Sequence, residues 1–599
     1  TLGSIQTSDA MEPRVSTTAT PGTLDIPEAE NRIPPTSTED IDAAVETLRQ
    51  NAKRWADLDI QSRIDLLDEL ALSIDAAAPA WGHTGAQFKE LPESSLHFGE
   101  EYAVGPYQVV KNVAALKHTL EQIRDTGHPQ PLDVRVRPNG QVAVDVFPVT
   151  ITEKVVYKGF SGEVWIKPDY TIDDVEQGLA RQYRNGGDSG GVALVLGAGN
   201  VSSIGPMDCL YKLFVHQRVC LLKMNPVNEQ TGPHIAEAFA PLIREGFVRI
   251  VYGGAEQGKY LTDHDGIDEI HITGSDKTHD AIVYGPGEEG KERKRNDDRR
   301  LDKPISSELG NVTPVIVVPG PWSDKDLEHQ GENLASMLTH NAGFNCVASR
   351  MIVQHRKWKR RGDLLDAVRA SLHEAEQRHP YYPGARERWE RFTAEHADPE
   401  FFGPVTEDGV PFTLLPDIHP DDDDHIAFTT EAFAGVMGEA AIDAPRSIPE
   451  YLERAVEFCN EQLWGNLAAT IVVHPRSMKD PTIAAAVERA IEDLRYGVVI
   501  INHWSGGAGY SVVQMPWGAY PGNEMTDIQS GRGWVHNTFM IADEQIEKAV
   551  IRGPFKPDAK PPWFHSHRRL REVADKATTL EATGDLKRLP GLVWELLRG

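Results

Sequence analysis

The sequence predicts an α/β protein built on open parallel sheets, and three observations point there. From about residue 173 onward short apolar stretches alternate with helical patterns: Val192–Leu196, a helix through Met207–Val215, Val219–Lys223, a helix through His234–Arg244, then Val248–Tyr252. Strand, helix, strand at this rhythm marks a parallel sheet with helices on its faces. The length, 599 residues, exceeds what one compact core serves, so two or three domains are expected. Between Val134 and Ile166 the pattern changes to alternating Val, Tyr and Phe, with Pro138-Asn139-Gly140 as a tight turn, which predicts an extended hairpin arm.

Taken in order, residues 1 to 37 are rich in Thr, Ser and Pro and lack apolar periodicity, predicting a flexible N-terminal arm. Ser37 to Glu39 can cap a helix whose apolar positions are Ile41, Val45 and Leu48, and Ile60 to Ile74 reads as a second amphipathic helix. The stretch Gly285 to Arg300 mixes charges of both signs densely, which predicts an exposed loop rather than a nucleic-acid patch. A polar insertion from about Arg356 to Pro420 ends in four consecutive aspartates, Asp421 to Asp424. Consecutive carboxylates point in different directions and lack the spaced ligands and turn glycine of a calcium loop, so a solvated turn and no metal site are expected.

The net charge of -29 repels phosphate backbones and anionic lipid surfaces, which argues against nucleic-acid or membrane partners. The longest apolar runs, such as Gly191 to Leu196 and Val315 to Val318, are too short to cross a bilayer. Four cysteines cannot make a disulfide framework, and the start of the chain has no secretory pattern, so a cytoplasmic location is expected.

Cys346 stands apart from the other cysteines. Cys209, Cys220 and Cys459 read as small core hydrophobes, whereas Cys346 lies among small and polar residues in His340-Asn341-Ala342-Gly343-Phe344-Asn345-Cys346-Val347-Ala348-Ser349-Arg350. This segment reads as a loop-to-helix junction, where a thiol has a lowered pKa and its thiolate is a nucleophile. Glu308, in Ser307-Glu308-Leu309-Gly310-Asn311, lies 38 residues upstream. Gly197-Ala198-Gly199-Asn200-Val201-Ser202 imitates a dinucleotide fingerprint but has Ser at the third glycine.

These segments resemble the aldehyde dehydrogenase superfamily, which pairs a glutamate in Glu-Leu-Gly-Gly with a cysteine in Asn-x-Gly-Gln-x-Cys at a comparable spacing. Leu221-Leu222-Lys223-Met224-Asn225-Pro226 is similar to the family's lysine motif, and Asn200 precedes Lys223 by 23 residues, about where the family keeps an oxyanion asparagine. Thr273-Gly274-Ser275, Thr430-Glu431-Ala432-Phe433-Ala434-Gly435-Val436 and Pro516-Trp517-Gly518-Ala519-Tyr520 resemble further family blocks in the family's order. The resemblance implies a fold of two open parallel-sheet domains, one for cofactor and one catalytic, with a protruding β-hairpin oligomerisation arm. It implies nucleotide-binding pieces at 38–131 and 173–307, the arm at 132–172, a catalytic domain at 308–520 and a C-terminal oligomerisation segment and tail at 521–599.

The roles that the resemblance implies are Cys346 as nucleophile, Glu308 as the base that hydrolyses the thioester, and Asn200 as oxyanion donor. In the cofactor half Lys223 would meet ribose hydroxyls, Gly274 and Ser275 the pyrophosphate, Glu431 the nicotinamide ribose, and Phe433 the nicotinamide ring. Pro226 stands where many members have a ribose-binding glutamate, so NAD and NADP both remain open as cofactor. Proline there also occurs among relatives that reduce acyl thioesters or pass the acyl group to coenzyme A, which is the alternative to hydrolysis. Asn311 replaces the glycine after Glu-Leu-Gly, Phe344 a glutamine, and Ala434-Gly435 a Gly-Pro. A catalytically silent structural homologue is the third reading, since fold alone never establishes activity. The expected substrate is a small aldehyde, apolar or aromatic, in a channel that Phe344 and His503-Trp504 would line, and the expected assembly is a homodimer or homotetramer.

Overall fold

A computed structural model describes residues 21–184, 190–406 and 409–599. Two large sheets organise the chain. The smaller has six strands in the order Gly531–Arg532, Ile305–Glu308, Glu269–Thr273, Val192–Leu196, Val219–Lys223, Val248–Val251. All but the first of these pairings are parallel. The chain starts this sheet in the middle, at Val192–Leu196, winds outward to one side and then to the other. The strand order therefore reverses between Val192–Leu196 and Glu269–Thr273, and a doubly wound sheet binds ligands in the crevice at that switch point, outside the strands' carboxyl ends. Helix Thr38–Ala56, capped by Ser37, and helix Ile60–Phe88 cover this part of the protein. They bury Ile41, Leu48, Trp55, Leu67 and Ile74, and the Trp55 indole donates to the Leu213 carbonyl at 3.0 Å.

The larger sheet has eleven strands. From Phe412–Ile418 through Val436–Ile442, Ser349–His355, Thr313–Val317, Ala468–Val472 and Val498–Ile501 to Ile546–Arg552 it is parallel. Val, Ile and Ala dominate these strands because helices cover both faces and leave no polar side. Ser161–Ile166, Val142–Phe147 and Asp133–Val136 then continue it antiparallel.

Two expectations change. The hairpin expected as a protruding arm forms around its predicted turn, yet it extends the large sheet of its own chain through Ile546–Arg552. Residues 285–300, expected as a loop, hold helix Gly287–Arg295. Their charges are spaced for it: Glu288 pairs with Lys291 at 2.6 Å and Glu289 with Arg293 at 2.9 Å, with acids in the first turn and bases in the last. The insertion at 356–420 contains helices Arg361–Glu374 and Ala385–Ala394. Residues 1–20 of the expected N-terminal arm lie outside the described residues, but 21–37 lie docked, with Gly22–Thr23 pairing parallel to Thr430–Glu431. Asp421 to Asp424 are exposed, and among the described residues no group of acidic, His or Cys side chains could hold a metal ion. No helix of the described residues is long and apolar enough to cross a membrane.

Lys548 ties the strand Ile546–Arg552 to a neighbouring helix. It is fully buried in Ile546–Arg552, and its ammonium donates to the carbonyls of Ile491, Glu492 and Leu494 at 3.0, 2.8 and 2.6 Å, closing the C-terminal end of helix Pro481–Asp493. We predict that Lys548→Met, which keeps the volume and removes the donors, lowers stability by about 2–4 kcal/mol, read from the urea midpoint. A loss below about 0.5 kcal/mol would show that the helix end does not need this cation.

Candidate active site

The predicted residues cluster at the carboxyl ends of the six-stranded sheet. Asn200 follows Val192–Leu196, Lys223 ends its own strand, Gly274 and Ser275 follow Glu269–Thr273, and Glu308 ends Ile305–Glu308. Cys346 comes from the other body, in a turn just before strand Ser349–His355 of the large sheet. The expected loop-to-helix junction is thus a turn leading into a strand, so no helix dipole lowers the thiol pKa. Residues 341 and 342 carry φ of 53° and 56°, left-handed values that fold the chain back before the cysteine.

Cys346 is half-buried, and its Sγ lies 3.7 Å from Glu308 Oε1. Burial, with the charges of Glu308 and Glu431 added, pushes the Cys346 thiol well above its ordinary range, contrary to the lowered value expected of a helix end. Burial pushes the Glu308 carboxyl up to about 8. The site at rest therefore holds a neutral thiol against a carboxyl that gains its charge only near that pH. Such a carboxylate is a base of suitable strength for the thiol or for a water near it.

Asn200 is buried and donates its amide Nδ2 to the Phe344 carbonyl at 3.0 Å, two residues before Cys346. Its own carbonyl accepts from Lys89 Nζ at 2.9 Å, Asn341 Nδ2 at 3.1 Å and Tyr381 hydroxyl at 3.2 Å. Lys89 also donates to Asn341 Oδ1 at 2.8 Å and pairs with Glu101 at 2.6 Å. Beside it Glu100 accepts from Asn341 N at 3.1 Å and pairs with Arg378 at 3.0 Å. Burial lowers the Lys89 pKa, with Glu101 pulling it back; burial works to raise Glu100, and Arg378 holds it well below its ordinary range. Sequence reading missed Lys89, Glu100, Glu101, Arg378 and Tyr381, which lie in three separate places along the chain and form no motif. Only Asn341 was visible, as part of the cysteine segment.

On the other side of the cysteine, the buried Arg350 guanidinium donates to the carbonyls of Gly343, Asn345, Ala434 and Val436, joining the nucleophile loop to the loop that carries Glu431 and Phe433. Glu431 is 2% exposed, lies against Gly310, and burial pushes its pKa up to about 8. Phe433 forms an aromatic cluster with Tyr382 at 4.9 Å and Phe344 at 5.9 Å. Phe344 also faces Tyr382 and Tyr381, so it belongs to this cluster rather than to a channel wall. His503 and Trp504 do line an apolar cavity of about 510 Å³, with Tyr107, Phe160, His340 and Trp563. Trp504 donates to the Val347 carbonyl at 2.7 Å, so the cavity wall reaches the residue after the nucleophile.

The crevice offers groups that a dinucleotide can satisfy. Among the described residues Glu431 Oε1 is buried without a partner, and the Lys223 ammonium meets only the Met224 carbonyl, at 3.5 Å. A buried lone acceptor and a nearly unpaired cation match ribose hydroxyls and phosphate oxygens. Ser275 caps helix Asp276–Val283 by accepting from Thr278 N at 3.1 Å, leaving that helix end beside Gly274, which is exposed.

Comparison with known proteins bears on the same region. Residues 191–383 match the model of the Aldehyde dehydrogenase family. The chain is 26% identical over 168 residues to N-succinylglutamate 5-semialdehyde dehydrogenase of Novosphingobium aromaticivorans, covering 27% of this chain and 32% of that protein. It is 30% identical over 166 residues to an aldehyde dehydrogenase of Enchytraeus buchholzi, 26% and 29% of the two chains. The matched stretch thus spans about a third of the length of these relatives. The fold is similar to glyceraldehyde-3-phosphate dehydrogenase of Methanocaldococcus jannaschii, solved with NADP, at a TM-score of 0.58, 15% identity and coverage of 88% of this chain and 99% of that one. An NAD-dependent aldehyde dehydrogenase of Sinorhizobium meliloti gives 0.57 at 16% identity, covering 90% and 93%. The chain therefore has the fold of these solved structures, and residues 191–383 are similar to the Aldehyde dehydrogenase family.

The geometry around Cys346 predicts its reactivity independently of any substrate. Cys209, Cys220 and Cys459 are buried, so iodoacetamide should label Cys346 alone in the native protein, slowly at neutral pH. At pH 9 Glu308→Gln should accelerate labelling several-fold, because it removes the adjacent negative charge. Unchanged or slower labelling would show that the carboxylate does not hold the thiol protonated.

Proposed function

We propose that this chain oxidises an aldehyde to a carboxylic acid with NAD or NADP, through a covalent adduct on Cys346. The observation that carries the reading is the 3.7 Å approach of Cys346 Sγ to Glu308 Oε1, with Asn200 held to the same loop. The Cys346 thiol gives its proton to solvent and the sulfur adds to the aldehyde carbon, while the carbonyl oxygen takes up a proton, to give a thiohemiacetal. The Asn200 amide is the side-chain donor at hand for the oxygen that becomes negative, and the network behind it fixes its direction before reaction. The dinucleotide, when bound, supplies the two-electron oxidant that converts the thiohemiacetal to a thioester. Glu308 then takes a proton from water, the oxygen adds to the thioester carbon, and acid and free thiol are released.

Lys223, Gly274, Ser275, Glu431 and Phe433 are the residues proposed to hold the cofactor. The carboxyl facing the sulfur favours hydrolysis over delivery of the acyl group to coenzyme A, since a water-activating base serves only the former. The apolar cavity beside Trp504 supports an aldehyde with an apolar or aromatic body. Free cysteines throughout suit a reducing cytoplasm. The strand Asp133–Val136 ends the large sheet with an unpaired edge, which supports pairing with another copy in a homodimer or homotetramer.

Cys346→Ala should abolish aldehyde-dependent reduction of the cofactor. Glu308→Gln should release one burst of reduced cofactor per site and then turn over about 10²–10⁴-fold more slowly, with the acyl group found on Cys346 by mass spectrometry. Steady turnover of that variant near wild type would sink the hydrolytic role. Acceleration of wild type by coenzyme A, with an acyl thioester as product, would put acyl transfer in its place, and no turnover with any aldehyde would leave a silent homologue.

The pH profile gives a separate check. Glu308, pushed up to about 8, is protonated below that pH and cannot accept a proton there. Turnover should therefore climb as pH rises and level off above about 8. The residual turnover of Glu308→Gln should lack this limb; if it keeps it, another group controls the rate.

A further inference from the structure

Residues 21–33 lie along the mouth of the dinucleotide crevice. At one end Gly22–Thr23 pairs with Thr430–Glu431, and Thr23 donates its backbone N–H and its hydroxyl to Asp276, the first residue of the helix that Ser275 caps. At the other end the backbone N–H groups of Arg32 and Ile33 donate to Glu229. Between them the Glu28 carboxylate accepts from Ala255 N at 2.6 Å, at the N-terminus of the nine-residue helix Ala255–Asp263. It lies so close to Gly254 that a Cβ there would meet Glu28 Oε1 at 1.9 Å.

Beside the same helix, Lys223 offers an anion seat. Lys223 is 8% exposed, its stem passes Gly258 of the same helix, and its ammonium has only the Met224 carbonyl, at 3.5 Å. Glu28 exerts the largest attraction on that ammonium, ahead of Glu229. In a doubly wound sheet the group at the end of the second strand chooses the cofactor: a carboxylate receives the ribose 2′-hydroxyl, a cation the 2′-phosphate. Here the second strand, Val219–Lys223, ends in a cation, and a distant part of the chain brings a carboxylate to the N-terminus of the helix beside which that cation lies.

Resting on the reading of this crevice as a dinucleotide site, we propose that Glu28 is its specificity-determining residue: it fills the anion seat of Lys223 and the Ala255 amide and so selects NAD against NADP. A 2′-phosphate must displace the Glu28 carboxylate or stand beside it, and two anions cannot share one cation and one amide without repulsion. NAD brings no charge to that seat, and its ribose hydroxyls can donate to the carboxylate.

The test is the ratio of the NADP and NAD dissociation constants, measured by calorimetry at low ionic strength on the full chain. Glu28 is exposed, so substitution leaves the core alone. Wild type should prefer NAD, Glu28→Gln should shift the ratio toward NADP by about tenfold, chiefly by tightening NADP, and Glu28→Asp should stay near wild type. An unchanged ratio, or an equal gain for both cofactors, would overturn the proposal while leaving the oxidation reading intact. The equal gain would mean that residues 21–33 only occupy the crevice. Absence of binding of either dinucleotide to wild type and variants alike would overturn the oxidation reading and this proposal together.

Discussion

The site depends on a buried cation. Lys89 is surrounded by Glu101, the Asn341 side chain and the Asn200 carbonyl, all within 3 Å, and it is these contacts that hold the turn after the first strand of one sheet against the loop before the cysteine of the other. A lone ammonium in that position would be expelled, because burying an unpaired charge costs several kcal/mol. Glu101 makes the position tolerable, while Glu100 and Arg378 form a second buried pair beside it, so the four charges stand or fall as a unit. The cost of removing any one partner is the penalty left on the others, which makes the network rigid rather than merely cohesive.

That rigidity suits the chemistry because the reacting groups come from two bodies. Glu308 and Asn200 belong to the six-stranded sheet and Cys346 to the eleven-stranded one, so a small shift between sheets would separate the Glu308 carboxyl from the Cys346 thiol. Arg350 provides the matching tie on the opposite side, from the nucleophile loop to the segment carrying Glu431. Between these ties the thiol and carboxyl face each other in a low-dielectric pocket. Burial raises both pKa values, so the pair rests without two adjacent negative charges and acquires one where a base is needed.

Much of this was legible in the residues. Alternating apolar stretches located the strands Val192–Leu196, Val219–Lys223 and Val248–Val251, since a buried parallel strand tolerates little but aliphatic side chains. The Pro138-Asn139-Gly140 turn placed the hairpin, and Ser37 placed the first helix start. The helix at 287–295 was misread because charge density signals exposure, and an exposed segment can still be helical when opposite charges recur every three or four residues. Cys346 was read as preceding a helix because its small polar neighbours suit a helix start. The strand after it follows from pairing with Thr313–Val317 and Val436–Ile442, which no local pattern encodes.

By itself the sequence determined the class of fold and singled out Cys346, Glu308 and Asn200 as candidates, because those are local signals: periodicity, turn residues and short motifs whose chemistry needs particular side chains. The tertiary structure decided what depends on distance and dielectric. It set the upward shift of the Cys346 and Glu308 pKa values, the charge network around Lys89, the merging of the hairpin into its own chain's sheet, and the placing of Glu28 at the helix end beside which Lys223 lies. Each of these joins residues far apart in the chain, and a pKa or a contact of that kind is a property of the surroundings, which exist only once the chain has folded.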